Sequence, residues 1–532
     1  MSPKLLVLLA AAFISKTAKA TNLNVYDPVP GLDPSPYYDI RVREKGKDHW
    51  IKTFPMITEC TDAKHCTSHK VIADHLKNWS NTYINIEMRE GVDIEFKITM
   101  LFGNETISKA VVHPNAAAQD CNWEDGNAYV TINKPGLFAV DINGQMDDQD
   151  TGKMPKTRQT YDGPPIHTVT IFANPFIDDK PSLKDDGVYK VIPGQVPPSI
   201  GEWHTLYFLP GQHDLGISFP LHCNKSYYIP GDAVVYATLN NGRDFKDGHH
   251  INIFGHGTLS GEKYPHPQDE IPPLDKDQYW TYSPIVIKWA YNVKIEGITI
   301  INSAYHSVQT DALYDPSNPT DIKWIKVFTW RPNGDGIGLH DNGLVEDCFV
   351  RTQDDSFYVT GRAMRRNVIW NDSNGSAWVF NHIGQPAMNI HDVAIEDCTV
   401  IYSRAHMNNG PGQSVFNMRS KGEGEGGYTV YFKNIRVEDP RPTNQQFKIF
   451  MESLEPYGPN SKRGPGDLHG IIFENITIVA PSVLDEPDIL WGSEEAMIYG
   501  LQFYNVKIGN ERVEGIDHFL HNEYVFDNKP PF

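Results

Sequence analysis

From about residue 200 onward the chain repeats itself imperfectly, and the period of that repeat restricts the fold more than any other feature. Short β-forming runs recur, many closed by Asn or Asp: YNVKIEGITIINS, DIKWIKVFTW, NGLVEDCFVRT, RRNVIWND, HDVAIEDCTVIYS, YTVYFKNIRVED, LHGIIFENITIVAP and IYGLQFYNVKIGN. Two copies nearly superimpose, Val345-Glu346-Asp347-Cys348 and Ile395-Glu396-Asp397-Cys398. They lie fifty residues apart, or two turns of about 25 each. A degenerate repeat of this length, made of short strands and turns, describes a solenoid whose rungs bury apolar surface only by stacking. A propeller needs four strands in each blade of about 40 residues, so a three-sided parallel β-helix fits the spacing better. On that geometry Cys348 and Cys398 share a column two rungs apart, roughly 10 Å. That separation is too wide for a disulfide, so both thiols are expected free and buried.

Residues 21–185 follow a different rhythm. TYINIEMRE, DIEFKITML, AYVTINKPGLFAVDIN and HTVTIFANPF alternate apolar and polar residues between turn signals, the pattern of half-buried antiparallel strands in a sandwich. The expected organisation is therefore all-β, with an N-terminal antiparallel β-sandwich over 21–185 and a parallel β-helix over 186–532. Abundant Gly (42) and Pro (38) agree with a turn-rich β chain rather than a helical bundle.

Residues 1–20, MSPKLLVLLAAAFISKTAKA, read as a signal peptide. Lys4 makes a positive n-region, Leu5 to Ile14 a short apolar core, and Ala18-Lys19-Ala20 a small-x-small cleavage site. That apolar run is shorter than the about 20 residues a membrane span needs. A secreted, extracellular, soluble protein is expected. Six Asn-x-Ser/Thr triplets, at Asn78, Asn104, Asn224, Asn371, Asn374 and Asn475, make it a candidate glycoprotein. The formal charge of −20 argues against nucleic acid and anionic polymers as partners and favours a neutral one. The six cysteines show no metal-ligand spacing, so neither zinc nor any other cofactor is expected, and pairing among Cys60, Cys66, Cys121 and Cys223 stays open. A monomer is expected.

The chemistry concentrates in RPNGDGIGLHDNGLVEDCFVRTQDDSFYVTG, residues 331–361. Aligning the rungs on a polar–small–apolar pattern superposes His306-Ser307-Val308, Asp335-Gly336-Ile337, Asp355-Ser356-Phe357, Ser376-Ala377-Trp378 and Gln413-Ser414-Val415. Asp335 and Asp355 then occupy one column on adjacent rungs, roughly 4.8 Å apart, with Asp354 beside them. Glycines 334, 336 and 338 would let a ligand approach the backbone. Three such carboxylates suit glycoside hydrolysis, in which one protonated acid serves the leaving oxygen and one ionised carboxylate activates water. Like-charge repulsion is what keeps one of them protonated. Isolated Asp347, Asp372 and Asp397 read instead as turn caps in an Asn/Asp ladder. A calcium site would want a regular ligand spacing that this cluster lacks. Around the acids, Asn333, His340, Tyr358, Trp378, Asn381 and His382 are candidate substrate-binding residues, with Arg419 another possible hydroxyl partner; Trp289 and Trp330 read as core, and His306 as a structural histidine.

Fold order, acid spacing and motif together resemble glycoside hydrolase family 49, the dextranases and isopullulanases. The resemblance covers nearly the whole chain after residue 20. YYIPGDAVVYATLNNG and INIFGHGTLSGEKY look like that family's approach to its helix, and NGDG followed by an Asp pair nineteen and twenty residues later resembles its three-carboxylate motif. The resemblance implies a right-handed β-helix and endo-acting cleavage of internal α-linkages in glucans with inversion. It implies Asp354 as general acid, with Asp335 and Asp355 holding and activating water. It leaves dextran and pullulan both open as substrates. Polygalacturonases share a β-helix and a similar acid set, but they carry Gly-His-Gly and Arg-x-Lys motifs downstream of the Asp pair. Here Gly255-His256-Gly257 lies upstream, and Met418-Arg419-Ser420-Lys421 is a poor echo. A non-catalytic carbohydrate-binding β-helix is the remaining alternative.

Overall fold

A computed structural model of the chain describes residues 21–60, 79–146, 167–241, 248–268, 270–288, 290–311, 319–331, 333–339, 343–359, 362–372, 375–379, 393–403, 414–419, 430–440, 446–450, 467–481, 487–494 and 497–529. The N-terminal unit is a sandwich of a six-stranded and a five-stranded sheet. Its core is the alternating apolar set seen in the sequence: Ile84, Ile86, Ile94, Phe96, Ile98, Val130, Ile132, Phe138, Val140 and Ile171. One pairing departs from the expected antiparallel pattern. Trp79–Met88 runs parallel to His167–Asn174 over eight residue pairs, between antiparallel neighbours. Both strands are buried along nearly their whole length, as parallel strands generally are.

The second unit is a parallel β-helix that opens with Val188–Val191. Along most of it each strand pairs in parallel with the third strand after it, which is the signature of three strands per turn. Turn length is uneven. Successive positions Val345, Met364, Ile395, Phe432 and Phe473 stack in one column although the intervening segments differ greatly in length. The interior is one continuous apolar cluster from Val191 to Val525, with aromatic stacks such as Trp378 on Phe416 and Phe432 on Phe473. Cys348 and Cys398 are buried and unbridged, with Asn367 between them in their column.

A turn next to that column holds Trp324, Asp347, Arg366, Asp397, Asn434, Asn475 and Asn505 in left-handed conformation, each with φ between 54° and 56°. The expected ladder exists there: Asn434 donates to Asp397, Asn475 to Asn434, and Asn505 to Asn475. Short amide side chains tolerate this region best. Asp372 does not belong to it. Its carboxylate is fully buried and accepts from the Arg351 guanidinium (2.7 Å) and the Trp370 indole (2.6 Å).

That ion pair sits where sandwich and helix meet. Tyr83, Leu137 and Phe172 of the sandwich pack on Phe328, Phe349, Trp370 and Tyr402 of the helix. Arg351 lies between the Trp330 and Trp370 rings and donates to Thr168 of the sandwich (2.6 Å). Trp330 donates its indole N–H to Thr58, also of the sandwich. Arg351 is three residues from Asp354, so the sandwich braces the strand that leads into the acids.

Candidate active site

Asp335, Asp354 and Asp355 converge. One carboxylate oxygen from each lies within 4.8 Å of the others, and all three side chains are buried, between 2 % and 8 % exposed. The sequence alignment explains how. Val308 pairs with Ile337, Ile337 with Phe357, and Phe357 with Trp378. Two residues earlier on each rung, His306, Asp335, Asp355 and Ser376 therefore form one column. The fifth rung was out of step by one: Trp378 pairs with Phe416, which puts Ser414 rather than Gln413 beneath Ser376.

Each acid is held differently. Asp335 Oδ2 accepts the Tyr358 phenol and lies 3.0 Å from His306 Nδ1, while its Oδ1 is buried with no hydrogen-bond partner among the described residues. Asp354 Oδ1 accepts the Asp355 backbone N–H at 2.9 Å, and its carbonyl accepts the Asn371 amide. Asp355 Oδ1 accepts the Ser376 backbone N–H at 3.0 Å. A Thr352–Ser356 hydroxyl contact at 2.8 Å closes the turn that carries the Asp pair. Burial first, and then the neighbouring carboxylates, push the Tyr358 phenol well above its ordinary range and raise that of Tyr305. Tyr358 therefore stays a hydrogen-bond donor at any working pH.

Several expected residues stand elsewhere. Trp378 is fully buried inside the helix, stacked on Phe416, and cannot meet a sugar. It occupies the inward column of Ile337 and Phe357, so its side chain follows theirs. Tyr358, one position on, faces the acids, but it is 7 % exposed and its hydroxyl is committed to Asp335. Asn333 sits half-buried in a left-handed turn two residues before Asp335. Asn371 is fully buried and bonded to Asp354, which leaves no room for a glycan. Asn104, Asn224 and Asn475 are exposed. His340, Asn381, His382, Trp289, Asn78, Asn374, Cys66 and residues 1–20, together with the side chains of Arg419 and Cys60, lie outside the described residues.

The glycines serve packing rather than ligand approach. A Cβ at Gly336 would strike the Ser356 carbonyl, and one at Gly338 the Gln309 amide. The glycine that matters to the acids is Gly375, where a Cβ would fall within about 2 Å of the Asp354–Asp355 peptide.

Sequence reasoning missed an aromatic group beside the acids. The 3-10 segment Lys276–Tyr282 carries Tyr279 and Trp280, both partly exposed. Trp280 lies 4.8 Å from the His306 ring and 5.5 Å from Tyr305, while Tyr279 lies 5.9 Å from Tyr305. The clustered aromatics of KDQYWTY were the available signal. Three converging oxygens can share a water or move a proton between them. They would supply only three of the six to eight oxygens that calcium takes.

No family model matches the chain, and no curated protein matches it. Among solved structures, Dex49A from Penicillium minioluteum superposes with a TM-score of 0.72 at 15 % identity, over 93 % of this chain and 92 % of that one. The likeness in fold anticipated from the motifs is therefore present. A Yersinia enterocolitica family 28 exopolygalacturonase aligns over 82 % of this chain and 96 % of its own at 11 % identity, with a TM-score of 0.36, too low to carry an argument.

Proposed function

We propose that the chain is a secreted, endo-acting glycoside hydrolase that cleaves internal linkages of a neutral α-glucan with inversion, dextran ahead of pullulan. The observation that carries this reading is the convergence of three buried carboxylates on one face of the β-helix. Asp354 protonates the leaving oxygen as its bond to the anomeric carbon breaks, and water attacks from the opposite side. Carboxyl pairs of inverting glycosidases generally stand about 6.5–9.5 Å apart and those of retaining ones about 5–5.5 Å. In the present cluster the nearest oxygens of the three acids lie within 4.8 Å of one another. Its third carboxylate supports inversion on other grounds: oxygens of Asp335 and Asp355 this close can each accept one O–H of a single water at about 2.7–2.8 Å. Trp280 and Tyr279 offer partly exposed ring faces suited to a pyranose. The fold shared with Dex49A supports a dextran-like substrate.

The test is incubation of the purified protein with dextran, pullulan and polygalacturonate, with the first-formed anomer followed by NMR. Inverted isomaltose-type products from dextran are expected, and Asp354→Asn abolishes them. Isopanose from pullulan selects the second substrate. Retained configuration would make the carboxylate opposite Asp354 a nucleophile. Absence of any cleavage returns the three acids to a structural role.

A further inference from the structure

We propose that the outer face of the sandwich is a second glucan-binding site, where Trp50 and Tyr129 stack on pyranose rings of the same neutral chain that the acids cleave. The ligand class rests on the reading above. The site rests on a surface that the reaction does not use. The six-stranded sheet is the layer that packs on the β-helix, through Tyr83, Leu137 and Phe172. The five-stranded sheet is therefore the outer layer, and its far face stands two packed layers from the helix wall, roughly 20 Å.

Strand parity sorts the residues of that outer sheet. Ile40, Val42, Phe96, Ile98, Ala128 and Val130 point into the sandwich core, so the residues between them point out. Register then sets Lys52, Arg41, Lys97, Tyr129 and Asn122 side by side in one row across all five strands. Trp50 reaches this row from the position before the edge strand Ile51–Lys52, with its ring 6.3 Å from that of Tyr129 and tilted by 51°. Both side chains are partly exposed, and neither joins the core on the other side of the sheet. The Arg43 guanidinium lies 4.1 Å from the centre of the indole and is itself held by Glu95 at 2.7 Å. Lys97 Nζ lies 6.0 Å from the centre of the Tyr129 ring. The indole is thus held in place with one face covered, and a ring fixed beforehand loses little freedom when a sugar meets the other.

Charge decides what kind of chain suits this face. The protein carries −20 overall, but its outer sheet is balanced. One row beside Tyr129 holds Asp39 and Glu124, and the other holds Arg43, Glu95 and Asp120. With Arg41, Lys52 and Lys97 of the central row, four cations meet four anions. Asp39 already binds Arg41 at 2.9 Å and stands 3.9 Å from Lys52. A balanced face offers no net field to a polyanion. What it offers is a pair of rings among many donors and acceptors, the chemistry of an uncharged polyhydroxyl chain. A polymer held there raises the concentration of linkages near the acids without tight binding at either place.

The experiment uses full-length Asp354→Asn, which leaves the polymer uncut, labelled with 5-fluorotryptophan for 19F NMR. The Trp50 signal is assigned by its loss in Trp50→Phe, and that of Trp280 by its loss in Trp280→Phe. Isomaltooligosaccharide is expected to move both, Trp280 reporting the cleft and Trp50 the sandwich face. A Trp50 signal that does not move overturns the proposal, whatever Trp280 does. One that moves with galacturonate oligomers but not with isomaltooligosaccharide overturns it too. Movement of Trp50 in a protein whose wild type cleaves no glucan leaves the face standing and sinks the hydrolase reading. Retention in native gels containing dextran is the second readout. Tyr129→Ala is expected to weaken it about tenfold, and Tyr129→Phe to keep it. Retention unchanged in Tyr129→Ala would remove the stacking role on which the site depends.

Discussion

Asp488 permits a stability test whose size and sign both follow from its surroundings. It precedes the strand Ile489–Trp491 and is 6 % exposed. Its Oδ1 accepts the backbone N–H groups of Gln446 (2.6 Å) and Phe447 (3.0 Å), while Oδ2 is buried without a partner among the described residues. Burial pushes its pKa up to about 6, against the pull of those two N–H groups. An unfolded Asp titrates near 3.9. Below that value both states hold the proton and Asp488 contributes no pH dependence. As pH rises toward about 6, the unfolded chain ionises freely while the folded one resists, and the stability present at low pH is lost. About two pH units at 1.36 kcal/mol each make the full loss about 3 kcal/mol by neutral pH. Asp488→Asn keeps the acceptor on Oδ1 and removes the titration. Equilibrium urea unfolding of both proteins from pH 3.5 to 8 isolates the residue, because other carboxylates cancel in the difference. Wild type should lose about 3 kcal/mol relative to the variant across that range. A difference that is flat with pH, or in which wild type gains, would refute the reasoning.

Arg351→Met strands Asp372 as a buried, unpaired charge and should cost about 3–5 kcal/mol, much of it recovered by adding Asp372→Asn; thermal unfolding of both variants measures it. Asn434→Ala breaks the amide ladder and removes the short amide side chain that makes φ 54° tolerable, so a loss of about 1–2 kcal/mol is expected, with Asn434→Gly losing less. Burial raises both thiols, Cys398 to about 12, so Cys348 and Cys398 should resist alkylation in the folded protein and react in denaturant, as mass spectrometry would show. Exhaustive chelation should leave the rate of glucan hydrolysis unchanged; loss of activity restored by calcium would convert the acid cluster into a metal site.

The fold was legible because a solenoid writes its period into the chain. The near-identical copies around Cys348 and Cys398 gave the number of rungs that separates them, though not an even turn length, since Val345 stacks on Met364 and Met364 on Ile395, and the polar–small–apolar pattern gave the register that unites Asp335 with Asp355. The same register contained the answer for Trp378. It stood in the column of Ile337 and Phe357, hence inward, and reading it as a sugar platform gave its chemistry more weight than its phase. Parity explains Tyr358 as well: one residue out of the inward column turns it to the acids, but whether its hydroxyl meets substrate or Asp335 depends on the height of the next rung. What the sequence could not show were contacts between distant segments. Arg351 finds Thr168 and Asp372, and Trp280 finds His306, through surfaces joined only when the sandwich docks or the 276–282 segment folds over the acid column. No local period encodes those meetings. A column of acids can thus be found by counting residues, whereas the contacts that make three aspartates unequal arise from the stacking of rungs and the packing of a second domain behind them.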